Sequence, residues 1–112
     1  MPATAAEATI PAALARAVRE FGDRDALAEP EGERLSYAEL GERVSEVARA
    51  LMADGIAPGD RVAVWCHNTT AWVLAALGSL AAGATLIPVS TRFTGSEALD
   101  VISRGGARAL FV

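Results

Sequence analysis

"RVAVWCHNTTAWVLAALGSLAAGATLIPV", residues 61–89, is the stretch whose reading decides the fold. From His67 to Thr91 there is no Asp, Glu, Lys or Arg. A run of that length could span a bilayer, which needs roughly 20 apolar residues. Its punctuation argues otherwise: polar "HNTT" follows Cys66, and Gly78, Gly83 and Pro88 break the remainder. The pattern predicts a buried strand over "RVAVWC", a helix from Thr69 to Ala82, and a second buried strand over "ATLIPV". Asn68 or Thr69 can cap that helix. Val73, Leu77 and Leu80 line one of its sides, while Ala71, Ala75, Gly78 and Ala82 form a stripe of small residues that lets a neighbouring backbone approach. A helix apolar all round must be covered on both sides.

The flanks extend the same alternation. Towards the C-terminus, Thr94 and Glu97 have capping-box spacing and start a helix through Arg104. "GGA" breaks it, and "RALFV" begins a further strand. Towards the N-terminus, Ser36 and Glu39 form another capping box. Tyr37, Leu40, Val44, Val47, Ala48 and Leu51 make the buried stripe of that helix, with Glu39 and Arg43 as a four-residue charge pair on its wet side. "DGIAPGD" ends it. Ala26–Glu29 and Arg34–Ser36 read as a β-hairpin around "PEGE". Ile10, Leu14, Ala17, Val18 and Phe21 follow one helical face, with Thr9 as cap and Gly22 as a left-handed stop. Short apolar strands alternating with helices indicate an α/β fold with parallel strands.

Composition removes several function classes. All ten basic residues are arginine, they are spread among acidic residues, and the net charge is −4. Nucleic acid, which requires clustered positive charge, is excluded as a partner. The absence of lysine excludes Schiff-base chemistry and a Walker-type phosphate loop. Cys66 is the only cysteine, so there is no internal disulfide and no thiolate metal cluster. The N-terminal stretch carries Glu7 and lacks the basic region and unbroken apolar core of a secretory signal. A reducing cytoplasm and no transmembrane segment are expected.

Few residues offer chemistry. Cys66 and His67 are adjacent, so on a strand they point to opposite faces. They are expected to be a buried cysteine and a loop histidine rather than a dyad. Asn68-Thr69-Thr70 is a glycosylation sequon, but helix capping is its expected role. Gly105 and Gly106 follow a helix and precede a strand, the wrong side for a phosphate cradle. No paired carboxylates sit in an apolar setting, and neither a catalytic residue nor a metal ligand is assigned. The loop "STRFTGSE", residues 90–97, is different. It follows a strand at the end where open parallel sheets collect ligands, and it carries Arg92. Arg92 can bind an anion next to a helix N-terminus, or it can pair with a nearby acidic residue and close a turn.

Residues 21–112 resemble the N-terminal part of an acyl-CoA synthetase of the adenylate-forming, AMP-binding superfamily. "SYAEL", "GIAPGDRVA", Gly83-Ala84, the loop "STRFT" (similar to NPRYT) and "GA…LF" arrive in the family's order and spacing. The resemblance implies that residues 1–112 are a partial N-terminal AMP-binding domain: the opening portion of a large domain, a β-hairpin followed by alternating helices and parallel strands. It implies an enzyme that joins a carboxylic acid to ATP, with Mg²⁺, and then transfers the acyl group to coenzyme A. The phosphate loop, the ribose-binding residues and the catalytic lysine would lie beyond residue 112, leaving this segment inactive alone.

Arg92 matches the arginine that the family places near the coenzyme A channel, and it is the one cofactor-binding residue expected. Ser90 and Thr91 stand where Asn-Pro is commoner. Expected partners are a small carboxylic acid and the remainder of the same enzyme, with a homodimer allowed. A medium- or long-chain fatty acid is the generic substrate, and the "STRFT" form also resembles branches that activate steroid-derived propionates. The rival reading is a stand-alone, non-catalytic α/β binding module.

Overall fold

The structure, a computed structural model, describes residues 9–112. The reading of the N-terminal stretch as lacking a secretory signal rests partly on residues 1–8, which lie outside the described residues. The element order is α1 (Ile10–Phe21), β1 (Asp25–Ala28), β2 (Arg34–Ser36), α2 (Tyr37–Ala53), β3 (Arg61–Val64), α3 (Thr70–Ala81), β4 (Thr85–Pro88), α4 (Gly95–Gly105) and β5 (Ala107–Phe111). β1 and β2 form an antiparallel hairpin; β4, β3 and β5 form a parallel sheet with β3 in the centre. The expected α/β alternation is therefore present, and the uncharged stretch from His67 is a helix and a strand. Among the described residues no helix is long and apolar enough to cross a membrane.

Both faces of the sheet are covered at its central strand. Successive strand residues face opposite ways. Val62 packs with Ala48 and Leu51 of α2 and with Ala82 and Ala84, whereas Ala63 packs with Val89 and with Ala98 of α4. Val62, Ala63 and Ala98 are all 0% exposed. A third cluster, Leu40, Val44 and Leu74 with Leu14 and Leu27 against them, binds α1 and the hairpin to α2 and α3. Burying Leu40, Val44 and Leu74 stabilises the fold by about 1.5–3 kcal/mol each.

The small-residue stripe of α3 does what small residues permit. A Cβ on Gly78 would overlap the Val47 side chain and lie 3.5 Å from the Val44 carbonyl oxygen, so α2 and α3 touch almost backbone to backbone there. Ala75, Gly78 and Ala82 are buried, but Ala71 is exposed. Val73, Leu77 and Leu80 are only half-buried, which leaves that side of α3 partly uncovered. Ser79, 0% exposed, satisfies its hydroxyl by donating to the Ala75 carbonyl at 2.7 Å.

Several local expectations need correcting. Gly22 is not left-handed: at φ −42° and ψ −43° it continues the helical turn, and its carbonyl accepts from Ala38 N–H at 3.1 Å, handing the end of α1 to the start of α2. Glu39 does not pair with Arg43. Its carboxylate is engaged at Ser36 N–H (2.9 Å) in the capping box, so Arg43 turns to Glu33 in the hairpin turn at 2.7 Å. β1 begins one residue earlier than expected and releases Glu29, whose backbone closes the turn with Glu33. β3 ends at Val64, and Cys66 beyond it is half-buried rather than buried. Thr69, not Asn68, caps α3. α4 runs to Gly105 and is stopped by left-handed Gly106 at φ 68°.

Candidate functional site

The three parallel strands end at one level. Val64 lies opposite Pro88 on one side and Phe111 on the other. Two backbone bonds extend the ladder past that line, Val89 N–H to the Val64 carbonyl (2.9 Å) and Trp65 N–H to the Phe111 carbonyl (2.8 Å). The loops after β3 and β4 thus emerge side by side at the carboxyl edge of the sheet, where ligands of open α/β sheets bind.

The loop after β4 is a tight turn, Ser90-Thr91-Arg92-Phe93, built around Ser90. The Ser90 carbonyl accepts from Phe93 N–H at 3.2 Å, closing the turn. The Ser90 hydroxyl oxygen accepts from Arg92 N–H at 3.2 Å, a side-chain mimic of a backbone turn. The Trp65 indole Nε1–H, from the neighbouring loop, donates to the same Ser90 carbonyl at 3.1 Å. The pair Ser90-Thr91 has no proline ring to pre-set the chain. Here three hydrogen bonds to Ser90 set it instead, two to its carbonyl and one from Arg92 N–H to its hydroxyl oxygen. Phe93 then packs against the cluster beneath α4.

Arg92 stands on this turn, exposed, and among the described residues its guanidinium has no ion pair. The turn-closing salt bridge weighed from the sequence is thus not what holds the loop. The helix N-terminus beyond it is a different matter. Thr94 caps α4, and the Glu97 carboxylate accepts from Thr94 N–H at 3.0 Å. That backbone hydrogen bond lowers the Glu97 pKa. The start of α4 therefore already carries its own anion. The same holds at α3, where the Glu29 carboxylate accepts from Thr70 N–H at 2.7 Å and is likewise held below its ordinary pKa by that bond. Both helix starts are thus met by a carboxylate of this chain, while Arg92 beside them is exposed and, among the described residues, without an ion pair.

Cys66 and His67 are not joined by a hydrogen bond as a nucleophile and its base would be: His67 is exposed, and its backbone carbonyl accepts from the Thr69 hydroxyl at 3.3 Å. Hollows lie elsewhere. One of about 780 Å³ runs between α1 and α2, past Leu14, Val18, Gly41 and Val44, and one of about 510 Å³ lies between the hairpin and the start of α3. Neither includes Arg92. Among the described residues no three His, Cys, Asp or Glu side chains converge as a metal site. Sequence reasoning missed Trp65 and Glu29. The available signal for the first was an indole N–H at the end of an apolar strand, which usually finds a partner when covered.

Comparison with known proteins fits this architecture. The family described as "AMP-binding enzyme" matches residues 14–112. A 3-[(3aS,4S,7aS)-7a-methyl-1,5-dioxo-octahydro-1H-inden-4-yl]propanoyl:CoA ligase of Rhodococcus jostii is 50% identical over 104 residues, covering 93% of this chain and 20% of its own length. The mitochondrial medium-chain acyl-CoA ligase ACSF2 of Mus musculus is 34% identical over 103 residues, covering 91% of this chain and 17% of its own length. The chain thus spans about a fifth of the length of these curated relatives. Among solved structures, the inhibitor-bound N-terminal domain of FACL13 from Mycobacterium tuberculosis superposes with a TM-score of 0.87 at 28% identity, over 91% of this chain and 26% of that one. A parallel sheet with helices on both faces, the ordered sequence motifs and a family match over nearly the whole described length lead to one assignment: the chain belongs to the AMP-binding enzyme family.

Proposed function

We propose that this chain is the N-terminal portion of an ATP-dependent acyl-CoA ligase, residues 1–112 being a partial AMP-binding domain. In this reading the whole enzyme joins a carboxylic acid to ATP, releasing pyrophosphate, and then passes the acyl group from the adenylate to the coenzyme A thiol. The observation that carries it is the 50% identity over 104 residues to an acyl-CoA ligase. The segment supplies sheet and helices to the large domain and one residue to the coenzyme channel. That residue is Arg92, whose exposed guanidinium suits a coenzyme phosphate. The Mg²⁺ that accompanies ATP offsets phosphate charge; it is assigned to no residue of this segment.

For the acid, the reading favours a propanoate carried on a fused-ring skeleton, since the relative named for such a substrate is more similar than the medium-chain ligase. The second reading, a medium-chain fatty acid, rests on the 34% identity to that ligase. A cytoplasmic location, supported by the single unpaired cysteine, and a homodimer belong to the same proposal.

Acid-dependent ATP–pyrophosphate exchange tests the reading. The whole enzyme is expected to exchange with a ring-bearing propanoate and more weakly with octanoate. Exchange with no carboxylic acid in the panel would refute it. Arg92→Ala is expected to raise KM for coenzyme A and to leave exchange intact.

A further inference from the structure

We propose that Trp65 is a positioning residue for Arg92, setting coenzyme affinity through the Ser90 carbonyl; this rests on the coenzyme-binding reading of Arg92. The polar groups that shape the turn converge on Ser90. Phe93 N–H and the Trp65 indole N–H both donate to its carbonyl, and Arg92 N–H donates to its hydroxyl oxygen. Two of these bonds lie inside the turn and would break with it. The third comes from outside. Trp65 is anchored independently, by its backbone bond to Phe111 of β5 and by its ring packing against the cluster of Ala63, Val89 and Ala98. Trp65 is thus a side-chain strut from the sheet to the Ser90 carbonyl, added to the Val89–Val64 backbone bond that precedes the turn and the packing of Phe93 that ends it.

The functional consequence follows from entropy. An exposed arginine loses substantial rotamer freedom when it clamps a ligand, and any freedom of its backbone adds to that loss. Fixing the backbone in advance favours binding without a new ligand contact. Trp65→Phe keeps an aromatic ring but removes the N–H donor together with part of the indole's volume. One neutral hydrogen bond corresponds to about a 2- to 10-fold change in binding.

The test is steady-state kinetics of the whole enzyme with coenzyme A varied. Trp65→Phe is expected to raise KM for coenzyme A about 2- to 10-fold, with kcat and the KM values for ATP and acid unmoved. Arg92→Ala is expected to raise it further, and the double variant no further than Arg92→Ala alone, because Trp65 acts through Arg92. Should Arg92→Ala raise KM while Trp65→Phe leaves it alone, the Trp65 role is overturned and the coenzyme reading of Arg92 stands. Should neither move KM, both fall. Effects that multiply in the double variant would also overturn the Trp65 role. If Trp65→Phe lowers the yield of folded enzyme, β-(3-benzothienyl)alanine at position 65, which replaces the N–H by sulfur at nearly constant shape, is read by the same KM.

Discussion

The Glu29 carboxylate accepts a 2.7 Å hydrogen bond from the backbone N–H of Thr70, 41 residues further along the chain. It ties the hairpin to the first turn of α3, where the helix dipole favours a negative charge. The bond lowers the Glu29 pKa from the ordinary 4.5, and the capping bonds at Ser36 and Thr94 do the same for Glu39 and Glu97. A depressed folded-state pKa gives stability that is present above the unfolded value and lost as pH falls through the folded one. The melting temperature is therefore expected to be flat near neutrality and to drop as pH falls below 4.5. Glu29→Gln should shrink that drop. A pH–melting profile unchanged by Glu29→Gln would contradict the tie.

The contact between α2 and α3 makes a second expectation sharp. Alanine is a better helix former than glycine by about 1 kcal/mol. Gly78→Ala should nonetheless destabilise, because the new methyl overlaps Val47 and overpacking typically costs about 1–3 kcal/mol. Pairing it with Val47→Ala should recover part of the loss. Urea denaturation of the two singles and the double measures the coupling.

Both capping boxes are placed where the sequence puts them. Ser36→Ala and Thr94→Ala should each lower stability by about 1 kcal/mol, the usual cost of losing such a cap. Changes in the denaturation midpoint at constant slope would check this.

Glu31, in the hairpin turn, adopts φ 56°, a region that disfavours residues with a Cβ. Glu31→Gly should be neutral or stabilising by up to about 1 kcal/mol, unlike glycine placed in a helix or strand. Thermal melting of the variant reads the sign.

Local patterns carried most of the fold. Ser36-x-x-Glu39 and Thr94-x-x-Glu97 announced two helix starts, and the strands over Arg61–Val64 and Thr85–Pro88 followed from short apolar runs between glycine-rich turns. What escaped was choice among partners. Glu39 has both a cap and an arginine in reach, and only the folded geometry shows that the cap wins and that Arg43 goes to Glu33. Gly22 was free to be left-handed, yet the bond from Ala38 to its carbonyl fixes a helical conformation. At the candidate site, the position of Arg92 in a loop after a strand was legible, and the structure places it, exposed, on the turn after β4. Its support was not, because Trp65 and Ser90 are 25 residues apart and meet only once β3 and β4 pair.

The central claim is tested most directly by product analysis of the whole enzyme incubated with ATP, Mg²⁺, coenzyme A and a fused-ring propanoate. Mass spectrometry should show the acyl-CoA thioester together with AMP and pyrophosphate in equal amounts. Thioester formation accompanied by ADP and phosphate, or no thioester with any carboxylic acid supplied, would contradict it.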